Sequence, residues 1–247
     1  MTKTDWDYSA MAAFYDNRAD YSSDAIDYII HAMGLECGSH VADVGAGTGK
    51  LAVPLGSHGL IVSAVEPNDE MRIYGIRNTS SLPVTWRDGT GEHTGLEAAS
   101  VEAVFFGSSF NVVDQISALQ ECRRIVRPRG WFSCMWNHRN LDDPLQSRIE
   151  AIIRSFIPSY HYGLRREDPS GVLAQSGYFS EILVHSADFA ASMTKTVIMD
   201  AWRSHGTLIR QAGDAHGAII AAIEDAIDSD EVAVPYTTRL WYGQFSS

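Results

Sequence analysis

The sequence that decides the fold is VADVGAGTGK, Val41–Lys50, where an apolar run leads into glycines at three alternate positions. The apolar run predicts a buried strand, and the residues that follow Gly49 predict a helix. Glycine is required between the two because the backbone turns tightly and a ligand approaches it with no Cβ in the way. The segment therefore predicts a ligand site between a strand and a helix of an α/β fold.

Three kinds of site place glycines in such a turn. A phosphate-binding P-loop would need glycine at Val44 and serine or threonine at Leu51, and the sequence has neither. A dinucleotide site of the form GxGxxG would need glycine at Lys50. The third form, GxGxG with Asp43 two residues ahead, suits S-adenosylmethionine, a nucleoside that carries an amino acid and no phosphate. A glycine-rich turn that binds nothing is the remaining alternative.

Two further acids follow predicted strands. Glu66 ends the strand predicted at Leu60–Val65, and a carboxylate there can accept hydrogen bonds from both ribose hydroxyls of NAD or of S-adenosylmethionine. Asp88 follows the strand predicted at Val84–Arg87, where its carboxylate can accept from an adenine amine and the amide of Gly89 can donate to the ring. An Asp-Gly pair is also a common turn. Both acids favour a nucleoside ligand.

Short apolar segments alternate with amphipathic ones, which predicts right-handed crossovers and a parallel, doubly wound sheet. Ligands of such sheets bind at the carboxyl ends of the strands. A turn is expected at Arg127–Gly130, where proline ends a helix. The predicted strands are His40–Val44, Leu60–Val65, Val84–Arg87, Val101–Phe106, Trp131–Trp136, Glu181–His185 and Val232–Trp241. The predicted helices are Thr48–Ser57, Asn68–Arg77, Asp114–Val126, Pro144–Phe156, Asp168–Ser176, Val197–Arg210 and Ala215–Asp228.

Composition narrows the class of protein. The 247 residues carry 19 Lys+Arg and 31 Asp+Glu, a net charge of −12, and this acidic balance disfavours a nucleic-acid partner. Without a long apolar run or a signal-peptide pattern, we expect a cytoplasmic protein with a small-molecule substrate and no membrane partner. Three widely separated cysteines indicate buried free thiols in a reducing compartment. The scattered histidines predict no metal site.

Four motifs together resemble the class I S-adenosylmethionine-dependent methyltransferases, in particular the type 11 branch that acts on small molecules. Asp43–Gly49 is similar to the first motif of that family, Val65–Met71 to the second and Arg87–Gly89 to the third. Glu102–Asp114 matches the pattern of the fourth strand in register. Within it, Asn111 stands where many members have histidine, so the resemblance supports no histidine base at that position.

The resemblance extends to both ends of the chain. Tyr15–Tyr21 is similar to the N-terminal lid pattern, with Asp20 where proline or glycine is common, and Trp136–Arg139, Asp143-Pro144 and Val234–Thr238 resemble later landmarks. The fold it implies is a Rossmann-like seven-stranded sheet whose last strand is antiparallel, with helical lid insertions. It divides one domain, 1–247, into lid helices at 1–36, a cofactor-binding core at 37–137 and substrate-side insertions at 138–178 and 192–213.

The resemblance also implies roles around the cofactor. It assigns the glycine turn and Asp43 to the amino-acid end, Glu66 to the ribose and Asp88 to the adenine. Two serines after the fourth strand would lie near the sulfonium, and Arg18 near the carboxylate. The cofactor-binding residues are then Tyr15, Arg18, Asp43, Gly45, Ala46, Gly47, Glu66, Pro67, Met71, Asp88, Gly89, Ser108 and Ser109.

Aromatic residues predict the substrate side. Planar side chains near the N-terminus and at Trp202 could stack on a flat substrate, or could equally anchor a lid to the sheet. Tyr160–Tyr162 could line the same pocket. His138 and Tyr15 are the candidate catalytic residues, and His138 could act as a base. The predicted substrate residues are Trp6, Tyr8, Asn111, His138 and Trp202.

These features predict methyl transfer to a nitrogen or oxygen of a small, planar aromatic or heteroaromatic molecule. Within the family the lid resembles N-methyltransferases that tailor toxins and antibiotics in secondary metabolism, such as the enzyme that acts on toxoflavin. An NAD-dependent oxidoreductase is one alternative, disfavoured by Lys50 and Asp88. A non-catalytic protein that binds S-adenosylmethionine is the other. The sequence leaves open the methyl acceptor, the use of a general base and the oligomeric state.

Overall fold

A seven-stranded sheet forms the centre of the protein in the computed structural model, which describes residues 12–162 and 167–246. Trp6 and Tyr8 lie outside the described residues. The strands are β1 His40–Val44, β2 Ile61–Val65, β3 Val84–Arg87, β4 Val101–Gly107, β5 Val126–Arg139, β6 Leu183–Thr194 and β7 Glu231–Gln244. The strand order is β3-β2-β1-β4-β5-β7-β6; neighbours from β3 to β5 are parallel, whereas β7 runs antiparallel to both β5 and β6. The predicted fold class, with its antiparallel last strand, is confirmed.

Helices flank the sheet, and several begin where a polar side chain caps them. Asn68, Asp114 and Asp143 each accept a hydrogen bond from a backbone N–H of the first turn, which explains why the following segments start as the sequence predicts. The helices are α1 Ala12–Asp16, α2 Ser23–Ala32, α3 Ala52–Ser57, α4 Asp69–Asn78, α5 Gln115–Ile125, α6 Pro144–Phe156, α7 Ser170–Gln175, α8 Lys195–Arg203, α9 Gly206–Ala212 and α10 His216–Asp225. None of the helices within the described residues is long and apolar enough to cross a membrane.

Two predicted elements differ in kind and others in length: β6, predicted at Glu181–His185, runs from Leu183 to Thr194, and α3 begins at Ala52 instead of Thr48. The helix predicted at Val197–Arg210 is two helices, because Nδ1 of His205 accepts a hydrogen bond from the Leu208 amide at 3.2 Å and caps a new helix, α9. The turn predicted at Arg127–Gly130 is a bulge inside β5, where these residues stand opposite one residue of β4 and Arg129 has a φ of +62°.

Two side chains of residue types that are usually buried are exposed. Ile116 is 47% exposed because, at 3.6 residues per turn, it lies half a helical turn away from the buried Ile125. Cys37 is exposed in the loop between α2 and β1, whereas Cys122 and Cys134 are buried as expected.

Three groups of buried side chains hold the layers together. Alternate strand residues pack on α2 and α3 on one face of the sheet and on α5 on the other. A third core joins α6, α8, α9 and α10 to the start of β7, with Ile153, Trp202, Ile219 and Tyr236 among its members. The helices after β5 therefore form a separate layer at the carboxyl end of the sheet.

We expect Gly75→Ala to destabilise the protein. A Cβ at Gly75 in α4 would lie 2.1 Å from Cη2 of Trp86, whose Nε1 is held by a 2.8 Å hydrogen bond to Thr79. Overpacking of this kind costs about 1–3 kcal/mol in the free energy of unfolding, measurable by urea denaturation. Gly217→Ala in α10, where nothing lies within 4 Å of the added Cβ, is the matched control. Equal stability of the two variants would contradict the packing described.

Candidate active site

The glycine-rich turn after β1 adopts the backbone that its sequence requires. Gly45, Gly47 and Gly49 have φ values of +68°, +57° and +87°, a region that favours glycine. The amides of Gly45 and Ala46 donate to the Val65 carbonyl at 2.8 and 3.0 Å, which fixes the turn against β2. These two bonds fix the backbone of Gly45 and Ala46 beside the carboxyl ends of β1 and β2.

Glu66 follows β2 and is buried beneath this turn. Its Oε2 accepts from the Gly47 amide and its Oε1 from the Asn68 amide, both at 2.9 Å. Burial raises the pKa of the Glu66 carboxyl, while the two amides and the guanidinium of Arg72 act in the opposite direction. A carboxylate held by one bond on each oxygen keeps further acceptor capacity for the hydroxyls of a ligand.

Asp43, two residues before the first glycine, is fully buried. Among the described residues, neither of its carboxylate oxygens makes a hydrogen bond of good geometry. Burial raises the pKa of the Asp43 carboxyl to about 8, and the nearby Glu66 acts in the same direction, whereas the backbone N–H of Ala52 lowers this pKa. A buried carboxyl that is so weakly hydrogen-bonded at the wall of a cavity fits a cationic ligand group such as an ammonium.

Two serines follow β4. Ser108 has a φ of +62°, and its Oγ lies 3.0 Å from the hydroxyl of Tyr21. Burial raises the pKa of Tyr21 far above its usual range, so its hydroxyl stays protonated. Ser109 donates to the Val44 carbonyl at 2.6 Å, and its side chain occupies the space that a Cβ on Gly45 would need. Ser109 therefore supports the glycine turn.

The N-terminal segment crosses the carboxyl end of the sheet. The Asn137 amide donates to the Asp20 carbonyl at 2.8 Å, and the Asp20 carboxylate pairs with Lys50 at 2.8 Å. Oδ1 of Asn137 in turn accepts from the buried hydroxyl of Thr238 at 2.6 Å. These bonds attach the segment both to the glycine turn and to strands β5 and β7.

The segment brings Tyr15 and Arg18 to the site. The guanidinium of Arg18 lies 3.8 Å from the ring centroid of Tyr15 and donates to the Ser204 carbonyl at 3.4 Å. Because Ser204 joins α8 to α9, this contact links the N-terminal segment to the helices after β6.

A cavity of about 700 Å³ runs from the glycine turn to these helices. Such a volume lies within the usual range of small-molecule sites. Its cofactor side is formed by the carboxyl ends of β1, β2 and β4, and its other side by β5, β7 and the layer of helices. The predicted residues that line it are Tyr15, Arg18, Asp43, Gly45, Ala46, Gly47, Glu66, Pro67, Met71, Ser108, Ser109 and Trp202.

Two residues predicted at the adenine lie outside the cavity wall. The side chain of Asp88 is 66% exposed, with Oδ1 3.6 Å from the guanidinium of Arg72. A Cβ on Gly89 would lie 2.8 Å from Cγ1 of Val65, so glycine is needed there for packing. The loop residues 90–92 form the wall at this end instead.

Two residues predicted at the substrate also lie outside it. The buried amide of Asn111 donates to the Glu167 carbonyl at 3.3 Å and accepts from Gln115 at 2.9 Å, which is a structural role. His138 lies between Asn137 and Arg139 on β5, and both of these line the cavity. His138 itself is not part of the cavity wall.

The substrate side of the cavity contains residues that the sequence prediction did not assign. Its wall is largely aromatic, and its cationic group is Arg139, whose guanidinium lies 3.9 Å from the ring centroid of Trp202. Tyr160 and Tyr162 line it, as considered from the sequence. The further residues are Trp136, Arg139, His205, Thr207 and Tyr236.

The central segment of the chain is similar to a known protein family. Residues 42–134 match the model of the family described as a methyltransferase domain. The match runs from β1 into β5 and includes the glycine turn, Glu66 and both serines. This segment is therefore similar to a methyltransferase domain, and the sheet topology agrees with that similarity.

Curated relatives match a similar part of the chain. An uncharacterized methyltransferase of Mycobacterium tuberculosis is 38% identical over 133 residues, which are 53% of this chain and 52% of the relative. A ubiquinone/menaquinone biosynthesis C-methyltransferase of Rubrivivax gelatinosus is 29% identical over 134 residues, 52% of this chain and 53% of the relative. The chain thus spans about half the length of the curated relatives it matches.

Solved structures agree over more of the chain. A protein of Anaeromyxobacter dehalogenans, provisionally named a type II methyltransferase, superposes with a TM-score of 0.65 at 19% identity, covering 92% of this chain and 97% of its own. A phosphoethanolamine N-methyltransferase of Haemonchus contortus, solved with phosphomonomethylethanolamine and S-adenosylhomocysteine, gives 0.57 at 15% identity over 97% and 58%. At these identities the likeness establishes the fold.

Proposed function

We propose that this chain is a class I methyltransferase that binds S-adenosylmethionine and transfers its methyl group to a nitrogen or oxygen of a small, planar aromatic or heteroaromatic molecule. The observation that carries the proposal is one continuous cavity that joins the glycine turn and Glu66 to a wall of aromatic side chains. A site for a nucleoside and a site for a flat acceptor therefore share one space.

The cofactor part rests on the residues beside the glycine turn. Glu66 would accept the ribose hydroxyls, and Asp43 would receive the ammonium of the methionine group, which supplies a charged partner for its weakly hydrogen-bonded carboxyl. Arg18 would contact the methionine carboxylate. The named ligands of the Haemonchus structure, of which S-adenosylhomocysteine is one, support the same cofactor class here.

The acceptor part rests on the aromatic wall. Trp202 is 5% exposed on α8, and Tyr160 lies in T-shaped contact with Tyr162 at 5.5 Å between ring centroids. Flat side chains of this kind bury a planar ring with little loss of conformational entropy and tolerate a nearby cation. Trp6 and Tyr8 stay predictions for the same wall.

For methyl transfer, the main task of the protein is to position the acceptor. Bound S-adenosylmethionine supplies a methyl group already activated by a positively charged sulfur. The chain must then orient the acceptor on the sulfur–methyl axis and exclude water, which the N-terminal segment and α8 would do together. A base is needed only where the acceptor loses a proton. Of the two candidate catalytic residues, Tyr15 lines the cavity and His138 does not.

His205 is a further polar group of the cavity, and its hydrogen bond defines what it can do. Its Nδ1 accepts from the Leu208 amide, so in the neutral ring the proton lies on Nε2. Taking up a second proton would break the cap of α9.

We also propose a role for each part of the chain, a cellular location and a class of pathway. Residues 37–137 would bind the cofactor, 1–36 would form the lid, and 138–178 with 192–213 would supply the substrate side. Cytoplasmic location, the absence of nucleic-acid and membrane partners, and a place in toxin or antibiotic tailoring by N-methylation are part of the same hypothesis. The acidic net charge of −12 and the aromatic wall support it.

The test is transfer of an isotope-labelled methyl group from S-adenosylmethionine to a panel of acceptors, read by mass spectrometry. We expect methylation of planar nitrogen heterocycles or phenols and stoichiometric formation of S-adenosylhomocysteine. Because the Rubrivivax relative is named a C-methyltransferase, quinone precursors form a second arm. Cofactor binding without transfer to any acceptor would favour the non-catalytic alternative, and labelling on carbon alone would overturn the proposed acceptor atoms.

Binding of the cofactor product should release a proton near neutral pH. In the free protein the pKa of Asp43 is about 8, so its carboxyl is largely protonated at lower pH. An ammonium beside it lowers this pKa, so binding of S-adenosylhomocysteine releases up to about one proton, and the release disappears above the free pKa. Calorimetry in buffers of different ionisation enthalpy measures it.

Asp43→Asn is the control for this release, since an amide does not titrate. Its folding is checked by circular dichroism. Equal proton release by the wild type and the variant would contradict the role given to Asp43.

A further inference from the structure

The guanidinium of Arg139 is the starting observation. Arg139 is the last residue of β5, it lines the substrate side of the cavity, and its guanidinium lies 3.9 Å from the ring centroid of Trp202. A guanidinium stays charged at all physiological pH values and has five N–H donors in one plane. Stacking covers the face of that plane and leaves the donors at its edge.

Those donors have no protein acceptor in the part of the chain that the structure describes. No hydrogen bond from Arg139 is found there, and no carboxylate lies within 4 Å of it, whereas seven other arginines of the described residues have acids in hydrogen-bonding range. The acids that line the cavity belong to its cofactor side, at β1, β2, α4 and the loop after β3. The charge of Arg139 is therefore left for whatever occupies the substrate side.

A second arginine–tryptophan stack in the protein includes a carboxylate beside the guanidinium. On the neighbouring strand β7, the guanidinium of Arg239 lies 4.7 Å from the ring centroid of Trp241, and Asp168 lies 3.6 Å from its edge. That trio lies outside the cavity wall. The Arg139–Trp202 pair has the same stack without the carboxylate, inside the cavity.

We propose that Arg139 determines acceptor specificity by binding a carboxylate that the planar acceptor carries. This inference rests on the proposed function and deepens it: the substrate class is an aromatic or heteroaromatic acid. A carboxylate matches the fork of a guanidinium with two parallel hydrogen bonds. Because the protein has a net charge of −12, an anionic ligand needs a local positive charge at the site to attract it.

The test compares acids with their uncharged amides. Quinaldate and quinaldamide, and anthranilate and anthranilamide, are titrated by calorimetry into the protein saturated with S-adenosylhomocysteine. The proteins are the wild type, Arg139→Gln, Arg139→Lys and the control Arg239→Gln, which removes the other stack. We expect at least one acid to bind about tenfold or more tightly than its amide, a preference that charge-assisted bonds explain.

The variants test whether Arg139 causes the preference for an acid over its amide. We expect Arg139→Gln to abolish it, Arg139→Lys to reduce it and Arg239→Gln to keep it. If the glutamine variant does not fold, the lysine variant carries the comparison. Equal binding of acid and amide by the wild type, a preference retained without Arg139, or no binding of any acid at millimolar concentration would each overturn the inference.

Cofactor binding separates this inference from the proposed function. S-adenosylhomocysteine affinity is measured first in every variant, and we expect it to be unchanged because Arg139 lies on the substrate side. If the wild type does not bind S-adenosylhomocysteine, the proposed function fails, and the acid and amide titrations on the free protein still decide the role of Arg139.

Discussion

Glu66→Gln should weaken binding of S-adenosylhomocysteine about 100-fold or more. The substitution removes the charge that would accept both ribose hydroxyls, and hydrogen bonds to a charged group contribute about 1.5–3 kcal/mol each. It also replaces one of the two oxygens that hold the amides of Gly47 and Asn68 at 2.9 Å by an NH₂ group, which cannot accept. Calorimetric titration of the purified variant measures the loss.

The matched control is Glu70→Gln. Glu70 lines the same side of the cavity, is exposed, and loses the same charge on substitution. We expect its affinity to stay within a few-fold of the wild type. If both variants lose the same affinity for S-adenosylhomocysteine, the loss comes from the summed negative charge of the acids around the cavity. The proposal that Glu66 accepts the ribose hydroxyls is then wrong.

Gly45→Ala should lower the free energy of unfolding of the protein and also abolish cofactor binding. The added Cβ would lie 2.5 Å from Cβ of Ser109, at a φ of +68°. Left-handed backbone costs about 1–2 kcal/mol for alanine, and the clash adds about 1–3 kcal/mol. The expected loss in the free energy of unfolding is therefore about 2–5 kcal/mol, measured by urea denaturation.

Gly95→Ala separates the two causes. Gly95 has a φ of +70°, close to that of Gly45, but nothing lies within 4 Å of a Cβ added there. We expect this variant to show the backbone cost alone and to bind S-adenosylhomocysteine normally. A Gly45→Ala variant as stable as Gly95→Ala would show that the turn is not packed against Ser109.

The cofactor side was predictable because its signals are local. A strand, three glycines and an acid two residues ahead lie within one short segment, and Glu66 follows the next strand. In a parallel sheet the carboxyl ends of neighbouring strands meet, so a residue's place after its strand already fixes its place at the site. The adenine role of Asp88 stays a prediction, since its side chain is 66% exposed with Oδ1 3.6 Å from the guanidinium of Arg72.

The substrate side was less predictable because its contacts join distant segments. Arg139 ends β5 and Trp202 lies on α8, and no spacing in the sequence indicates that they stack. Trp202 was predicted from its residue type, whereas Arg139 was noted only as a family landmark. The break at His205 was missed because a histidine cap is rarer than a serine or aspartate cap.

Calorimetric titration of the wild-type protein with S-adenosylhomocysteine, and in parallel with NADH, tests the central claim most directly. The GxGxG turn with Asp43 and Glu66 predicts micromolar binding of S-adenosylhomocysteine and none of NADH, since Lys50 stands where a dinucleotide site needs glycine. Binding of NADH without binding of S-adenosylhomocysteine would contradict the claim and favour an oxidoreductase.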